Sequence, residues 1–399
     1  MKKPELLAPA GNPSKLKCAL YYGADAVYVG GKNFSLRSFA DNFDADELKN
    51  AVIYAHAQGK KVYVTVNIFA KNADMRALED YFAYLYLIGV DAVIVSDSGV
   101  FYAAKKSAPK LCVHISTQAN LTNKYAVKFR REQGAERAIL AREMSIAEIA
   151  EIHDYVPEIE LEAFVHGAMC ISYSGRCLLS NYLNGRESNR GECVQACRWK
   201  YQIRKKDVHS DSGWLDFEED DRGTYVLNSK DLNMSQYLAE LQSAGVCSFK
   251  IEGRMKSEYY LATVINAYRR CIDGGFNKTV ESELVTAAHR DYTTAYMLGA
   301  NDNTVNYDDN QTKGDCDYIA NVLGWQDGVA KVEMRGRFKV GDRLEILSPS
   351  QNFGKSFVVE NAVLPTGESV EDCKLVQEIY EINCPYNLSA GDVLRRRKG

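Results

Sequence analysis

The chain has 399 residues, 46% of them hydrophobic and 26% charged, with a formal net charge of −4. That balance suits two domains with a real core and argues against indiscriminate nucleic-acid binding over the whole surface. The opening MKKPELLAPAGNPSKLK has no apolar stretch of signal-peptide length, and no run approaches the roughly 18 apolar residues of a membrane span, so a cytoplasmic protein with no membrane partner is expected.

Short apolar, β-branched runs recur at ELLAPA (5–10), AVYVGG (26–31), KVYVTVN (61–67), AVIVSD (92–97), CVHIST (112–117), RAILAR (137–142), ELEAFV (160–165) and SFKIEG (248–253). Helical patterns such as DADELKNAVIYAHAQG and MRALEDYFAYLYLIG separate them. At GADAV (23–27), GVDAV (89–93), GAERA (134–138) and GVCSF (245–249) a glycine ends a helix and an apolar strand soon follows. Apolar strands alternating with helices predict an α/β protein with a parallel sheet buried on both faces. Eight such runs predict a (β/α)8 TIM-like barrel over 1–275. No GxGxxG follows the first strand, which removes the main reason to prefer a dinucleotide fold.

YVLNS (225–229), a ninth strand candidate followed by the helical SQYLAELQSAG, is assigned to a Cys-rich insertion at about 166–245, between the seventh and eighth barrel strands. The same insertion carries an acidic stretch, Asp216, Glu218, Glu219, Asp220 and Asp221. Residues 276–316, ending in NDNTVNYDDNQTKGD, read as a linker. From 317 to 399 the short runs YIANVLG, GVAKVEMRG, VGDRLEILS, SFVVENAVL and GDVLRRR predict a small antiparallel β-barrel.

Four of the 11 cysteines stand close together, as CxxxxxxC (Cys170, Cys177) and CVQAC (Cys193, Cys197); the others are scattered singly. In a chain expected to stay inside the cell, clustered cysteines favour metal over disulfides. These loose spacings differ from the tight CxxC pairs of zinc ribbons. They permit a cubane in which each thiolate takes one iron, while zinc and plain structural thiols stay open.

Barrels of this kind carry chemistry at the C-terminal ends of their strands. Those ends present Arg37, Asn67, Asp97, Ser116–Thr117–Gln118, Arg142–Glu143, His166, and Lys250, Glu252 and Arg254 of KIEGR. Asp97, His166, Lys250 and Glu252 are the candidate catalytic groups. Arg37, Arg142 and Arg254 offer guanidinium forks suited to carboxylate or phosphate, with Asn67 and Gln118 as further substrate contacts. The plain alternatives are that Asp97 and Asn67 cap helices, that Arg142–Glu143 and Glu252–Arg254 are internal ion pairs, and that His166 is structural. His166 and Cys170 form a conceivable Cys–His nucleophile; HExxH and GxSxG motifs are absent. Basic residues crowd the stretch from Arg176 to Lys206, and Arg186, Arg190, Arg198 and Lys200 are its candidate RNA contacts. The tail Arg395, Arg396, Arg397 and Lys398 reads as a solvated basic face.

EAFVHGAMCISYSGRCLLS, LAPAGNPSKLKCALYYGADAVYVGG, HISTQAN, LAREMSIAEI, NSKDL, SFKIEGRMKS and HRDYTTAY resemble the collagenase-like peptidase family, the peptidase family numbered 32 whose mechanism is unassigned. The resemblance covers essentially the whole chain. It lies nearest the tRNA-modifying branch through HGAMCISYSGRCLLS, CxxxCRWxY and an NSKDL with no cysteine after it. It implies oxygen-independent hydroxylation of the wobble uridine of tRNA to 5-hydroxyuridine, with prephenate as co-substrate and the tRNA anticodon arm as partner. It also implies a 4Fe-4S cluster, supplied by the iron–sulfur assembly machinery, on Cys170, Cys177, Cys193 and Cys197. Asn233 stands where some relatives carry a ligating cysteine, so Cys197 is the fourth ligand or the site is incomplete. A second departure is Ala295 in TTAY, where glycine is common in the family. The family label keeps a collagenase-like peptidase as the alternative. A non-catalytic RNA-binding partner with a structural metal, zinc for example, is another.

Overall fold

A computed structural model describes residues 3–32, 34–35, 42–170, 172–173, 176–190, 192–199, 204–205, 215–216, 229–299, 304 and 312–398. Eight parallel strands form its first unit: β1 (Glu5–Pro9), β2 (Ala26–Gly30), β3 (Lys61–Val66), β4 (Ala92–Val95), β5 (Val113–Ile115), β6 (Arg137–Ile139), β7 (Glu160–Ala168) and β8 (Val246–Ile251). Each pairs with the next along the chain, and β8 pairs with both β7 and β1, which closes the barrel and removes its edges. The expected α/β TIM-like barrel is thus the observed one. Strands β2 and β4 are buried at every position, as a sheet covered by helices outside and side chains inside requires.

Local signals set the frame. Asn12 accepts the Lys15 amide at 2.9 Å and caps the first helix. Asp44 with Glu47, and Ser145 with Glu148, form capping boxes on the helices Ala45–His56 and Ile146–Tyr155. The glycine of each repeated helix-to-strand turn, Gly23, Gly89, Gly134 and Gly245, has φ between +82° and +104°, a region that other residues seldom enter.

Beyond the barrel the expectations need amendment. Residues 225–228 of the ninth strand candidate lie outside the described residues, as does the acidic stretch 218–221. The strand observed nearby is Asp231–Asn233, which runs antiparallel to the end of β7, pairing Asn233 with His166. The segment expected as a linker holds a helix, Lys278–Leu284, capped by Asn277, and a short strand, Tyr292–Thr293, that pairs with Asp231–Asn233.

The C-terminal residues form an antiparallel half-barrel of seven strands, from Cys316–Gln326 to Val393–Arg397, around Ile319, Val332, Ile346, Tyr380 and Ile382. Its last strand corrects the reading of the basic tail. Arg395 is fully buried and donates to both Glu283 oxygens at 2.6 and 2.7 Å, to Thr286 at 3.1 Å and to Glu345 at 3.0 Å. Arg396 pairs with Asp342 at 2.9 Å, and Arg397 with Glu345 at 2.7 Å. Acids distant in sequence neutralise the run, so it is not a free cationic surface. Among the described residues no helix is long and apolar enough to cross a membrane.

Candidate functional site

Alternate residues of a barrel strand face inward. That phase brings Tyr28 of β2, Thr65 of β3, Phe164 of β7 and Lys250 of β8 to the upper interior, with Asn67, Gln118, Arg142, Glu252 and Arg254 just past the strand ends. Together they line a cavity of about 180 Å³. Its floor is ionic. Lys250 Nζ donates to Glu162 Oε1 at 2.8 Å, and Arg137 donates to Glu162 Oε2 at 3.1 Å and to Glu5 at 2.7 Å. Burial lowers the proton affinity of Lys250, opposed by the Glu162 carboxylate. The ammonium also sits 4.5 Å from the centre of the Tyr28 ring and 5.3 Å from that of Phe164.

The two described arginines of the rim are held differently. Arg254 donates to Ser35 at 2.8 Å, to Thr65 at 3.2 Å and to the Asn42 carbonyl oxygen. A Cβ at Gly30 would fall 2.3 Å from its guanidinium, so glycine ends β2 to admit the arginine. Arg142 donates to the Ala168 carbonyl at 2.8 Å and lies 4.2 Å above the Phe164 ring; its Nε is buried without a hydrogen-bond partner among the described residues. Arg142 makes no ion pair with Glu143 among the described residues, and burial raises the Glu143 pKa. Asn67 and Gln118, both expected at the mouth, donate and accept across it at 2.5 Å. Glu252 also lines the cavity and accepts a long hydrogen bond from the Tyr28 hydroxyl at 3.4 Å.

The Cys-rich insertion roofs this space. Ser188 and Asn189 donate to the Cys177 carbonyl at 2.7 and 3.3 Å, the Phe69 amide donates to the Asn189 carbonyl at 3.3 Å, and Lys71 pairs with Glu187 at 3.2 Å. Cys170, Cys177 and Cys193 line the main cavity; Cys170, Cys193 and Cys197 line an adjoining one of about 130 Å³ that shares Arg142 and Glu252. A third cavity beside Cys170, of about 530 Å³, is lined by Asn120, Glu143, Tyr173, Arg176 and Tyr296. No cysteine is in a disulfide. The seven scattered cysteines differ: burial pushes Cys247, Cys271 and Cys373 up to about 11 and Cys112 up to about 12. Among the described residues no three His, Cys, Asp or Glu side chains gather tightly enough about one point to hold a single ion.

Two expected catalytic residues belong elsewhere. Strand parity predicts His166 inside with Phe164 and Glu162. A register shift between β7 and β8 pairs Phe164 with Lys250 but His166 with Ile251, and this extra residue turns the imidazole outward. It is fully buried among Tyr260, Tyr268 and Tyr292, with Nδ1 3.3 Å from the Tyr268 hydroxyl, and burial above all lowers its pKa to about 3. The supposed Cys170–His166 nucleophile therefore dissolves. Asp97 accepts the amides of Gly99 and Val100 at 2.7 and 3.0 Å and is the N-cap of the helix Ser98–Ser107.

Arg37 and Lys200 lie outside the described residues. For Arg190 and Arg198 only the backbone is described, in short 3-10 turns. Arg186 is exposed on the insertion, as are Tyr173, Tyr182 and Trp199. Sequence reading missed Tyr28, Thr65, Glu162, Ser188 and Asn189. The period-two phase backwards from Asn67 along β3 would have found Thr65; Tyr28 and Glu162 stand on β2 and β7, where the same alternation had to be followed, and the last two depend on how the insertion folds back.

The description Peptidase family U32 matches residues 11–307, and Peptidase family U32 C-terminal domain matches residues 314–395. The chain belongs to peptidase family U32. Within that family it is 39% identical to tRNA hydroxylation protein P1 of Bacillus subtilis, over 100% of this chain and 96% of that protein. It is 36% identical to the 23S rRNA 5-hydroxycytidine C2501 synthase of Escherichia coli, over 67% of this chain and 39% of that one. It is 30% identical to the Collagenase of Porphyromonas gingivalis, over 87% of each. U32 relatives thus bear names from two chemistries, and the mouth must be weighed against both.

Proposed function

We propose that this U32 protein is an RNA-hydroxylating enzyme. Its substrate is the wobble uridine of a tRNA, converted to 5-hydroxyuridine without molecular oxygen and with prephenate as co-substrate. The observation that carries the reading is the pairing of a cationic cavity with a four-thiol roof whose exposed residues include Arg176, Arg186, Tyr173, Tyr182 and Trp199. Exposed aromatic rings beside arginines suit unstacked bases and phosphates. Tyr182, 87% exposed, is poorly explained as packing. The names of the relatives favour RNA as well.

In this reading Arg142 and Arg254 bind the two carboxylates of prephenate, Asn67 and Gln118 orient it, and the insertion excludes water. The uridine is extruded from its stack to reach the mouth, since ring chemistry needs the base free. Lys250 and Glu252 hold the protons that the reaction moves. Cys170, Cys177, Cys193 and Cys197 fit an iron–sulfur cluster by donor type: four soft thiols, unbridged by disulfides, around adjoining cavities. A bound 4Fe-4S cluster supplies redox or Lewis-acid capacity beside the cavity.

The test is nucleoside analysis of tRNA from a strain lacking the gene. Loss of 5-hydroxyuridine derivatives, restored by the intact gene and not by a Cys170→Ala copy, is expected. Unchanged levels in a strain without a paralogue would reject the proposal. Iron and sulfide analysis of anaerobically purified protein checks the cofactor independently. The outward turn of His166 removes the Cys–His pair that the sequence offered to a peptidase.

A further inference from the structure

We infer that Lys250 is an imine-forming amine, condensing with the 2-oxo group of a small oxo acid held in the barrel mouth. The inference rests on reading that mouth as a site for a small anion and adds the covalent chemistry it would perform. Of the residues lining the cavity, Lys250 supplies the only primary amine among those described. It stands on a strand, not a loop. Pairing on both sides, to Leu7 of β1 and Phe164 of β7, fixes its backbone, so the nitrogen has little freedom.

Three features separate this lysine from an ordinary buried ion pair. It borders a cavity, with Arg142 and Arg254 on the rim to take a carboxylate and bring the neighbouring carbonyl carbon over the amine. Near-complete burial, 4% exposed, disfavours the ammonium form against the pull of Glu162 and of the Tyr28 and Phe164 rings. Glu162 Oε1, 2.8 Å away, can take the proton that must leave before the nitrogen attacks.

The step balances without an oxidant. The ammonium passes one proton to Glu162, and the neutral nitrogen forms a C–N bond at C2 as the carbonyl π pair moves to oxygen. A second nitrogen proton moves to that oxygen, giving a carbinolamine. Glu162 returns its proton, the C–O bond breaks, and water leaves behind a protonated imine. The net change is ammonium plus ketone to iminium plus water. The iminium then draws electrons from the adjoining bonds, which primes the oxo acid to react. Prephenate, the co-substrate proposed above, carries a 2-oxo acid group.

Sodium borohydride trapping of the full-length protein tests this, with pyruvate and prephenate as probes and peptide mapping by mass spectrometry. A reduced adduct on the peptide containing Lys250 is expected, lost in Lys250→Arg and slowed in Glu162→Gln. No adduct at Lys250 in wild-type protein with either probe would overturn the inference, as would adducts spread equally over other lysines. Wild-type mapping decides the matter even if a variant fails to fold. Trapping needs no RNA. An adduct in a protein that leaves tRNA unmodified keeps this inference and sinks the hydroxylase reading, and hydroxylation without an adduct does the reverse.

Discussion

Arg395 in the seam between barrel and half-barrel and Arg142 at the barrel mouth are both withdrawn from solvent, but to different ends. Arg395 gives its donors to Glu283, Glu345 and Thr286, acids and a hydroxyl of its own chain. Arg142 gives one donor to a carbonyl, lies over Phe164 and keeps a buried Nε with no hydrogen-bond partner among the described residues. An arginine consumed by internal carboxylates is scaffold. One with a donor to spare beside a cavity is able to take an anion. The cysteines divide the same way, seven singly placed with thiols held protonated by burial and four gathered at the mouth.

Breaking the seam should have the largest effect. Arg395→Met takes from the buried Glu283 its directly bonded cation, a change of about 3–5 kcal/mol in stability, read from urea unfolding. Were the variant as stable as the parent, the scaffold half of the comparison would fail. Arg142→Ala tests the other half. Losing a charged hydrogen bond to ligand costs about 1.5–3 kcal/mol, roughly tenfold to a hundredfold in affinity. Calorimetric titration with prephenate should show that weakening while the unfolding midpoint moves little. Equal weakening by Arg395→Met, in protein that remains folded, would blur the distinction.

His166 sharpens the comparison through pH. Its native pKa lies near 3, against about 6.5 in an unfolded chain. Below about pH 6.5 the unfolded state binds a proton that the native state refuses, so stability falls as pH falls from there toward 3. By pH 5 this one residue accounts for about 2 kcal/mol. His166→Phe should lose that much of the acid sensitivity between pH 7 and pH 5 and leave the pH–rate profile unmoved. A rate profile that shifts with the substitution would return the histidine to the catalytic groups.

The barrel was legible because its signals are local: glycine turns before several strands, side-chain caps before several helices and runs of β-branched residues. The mouth was legible in part, since Asn67, Gln118, Arg142, Lys250, Glu252 and Arg254 all fall at strand ends and all reach one cavity. What escaped depends on contacts between distant segments. ELEAFV reads as an apolar run, yet Glu162 faces inward because Arg137 and Lys250 arrive from β6 and β8 to meet it. The basic tail looks solvated until Glu283, 112 residues away, is placed against Arg395. For His166 the period-two rule itself failed, through a register shift that no single strand announces.

Asp97 gives the smallest effect and the finest discrimination. Its sequence position, at the C-terminal end of β4, is that of a catalytic carboxylate, while its hydrogen bonds to Gly99 and Val100 are those of a helix cap. Asp97→Ala should cost about 1 kcal/mol, and Asp97→Ser, which keeps a capping oxygen, should recover most of it. Neither should alter hydroxylation of tRNA in folded protein. The pair matters because serine preserves the cap while removing the carboxylate. Full stability with lost activity in Asp97→Ser would assign the residue to the chemistry, whereas restored stability with unchanged activity leaves it in the scaffold beside Arg395.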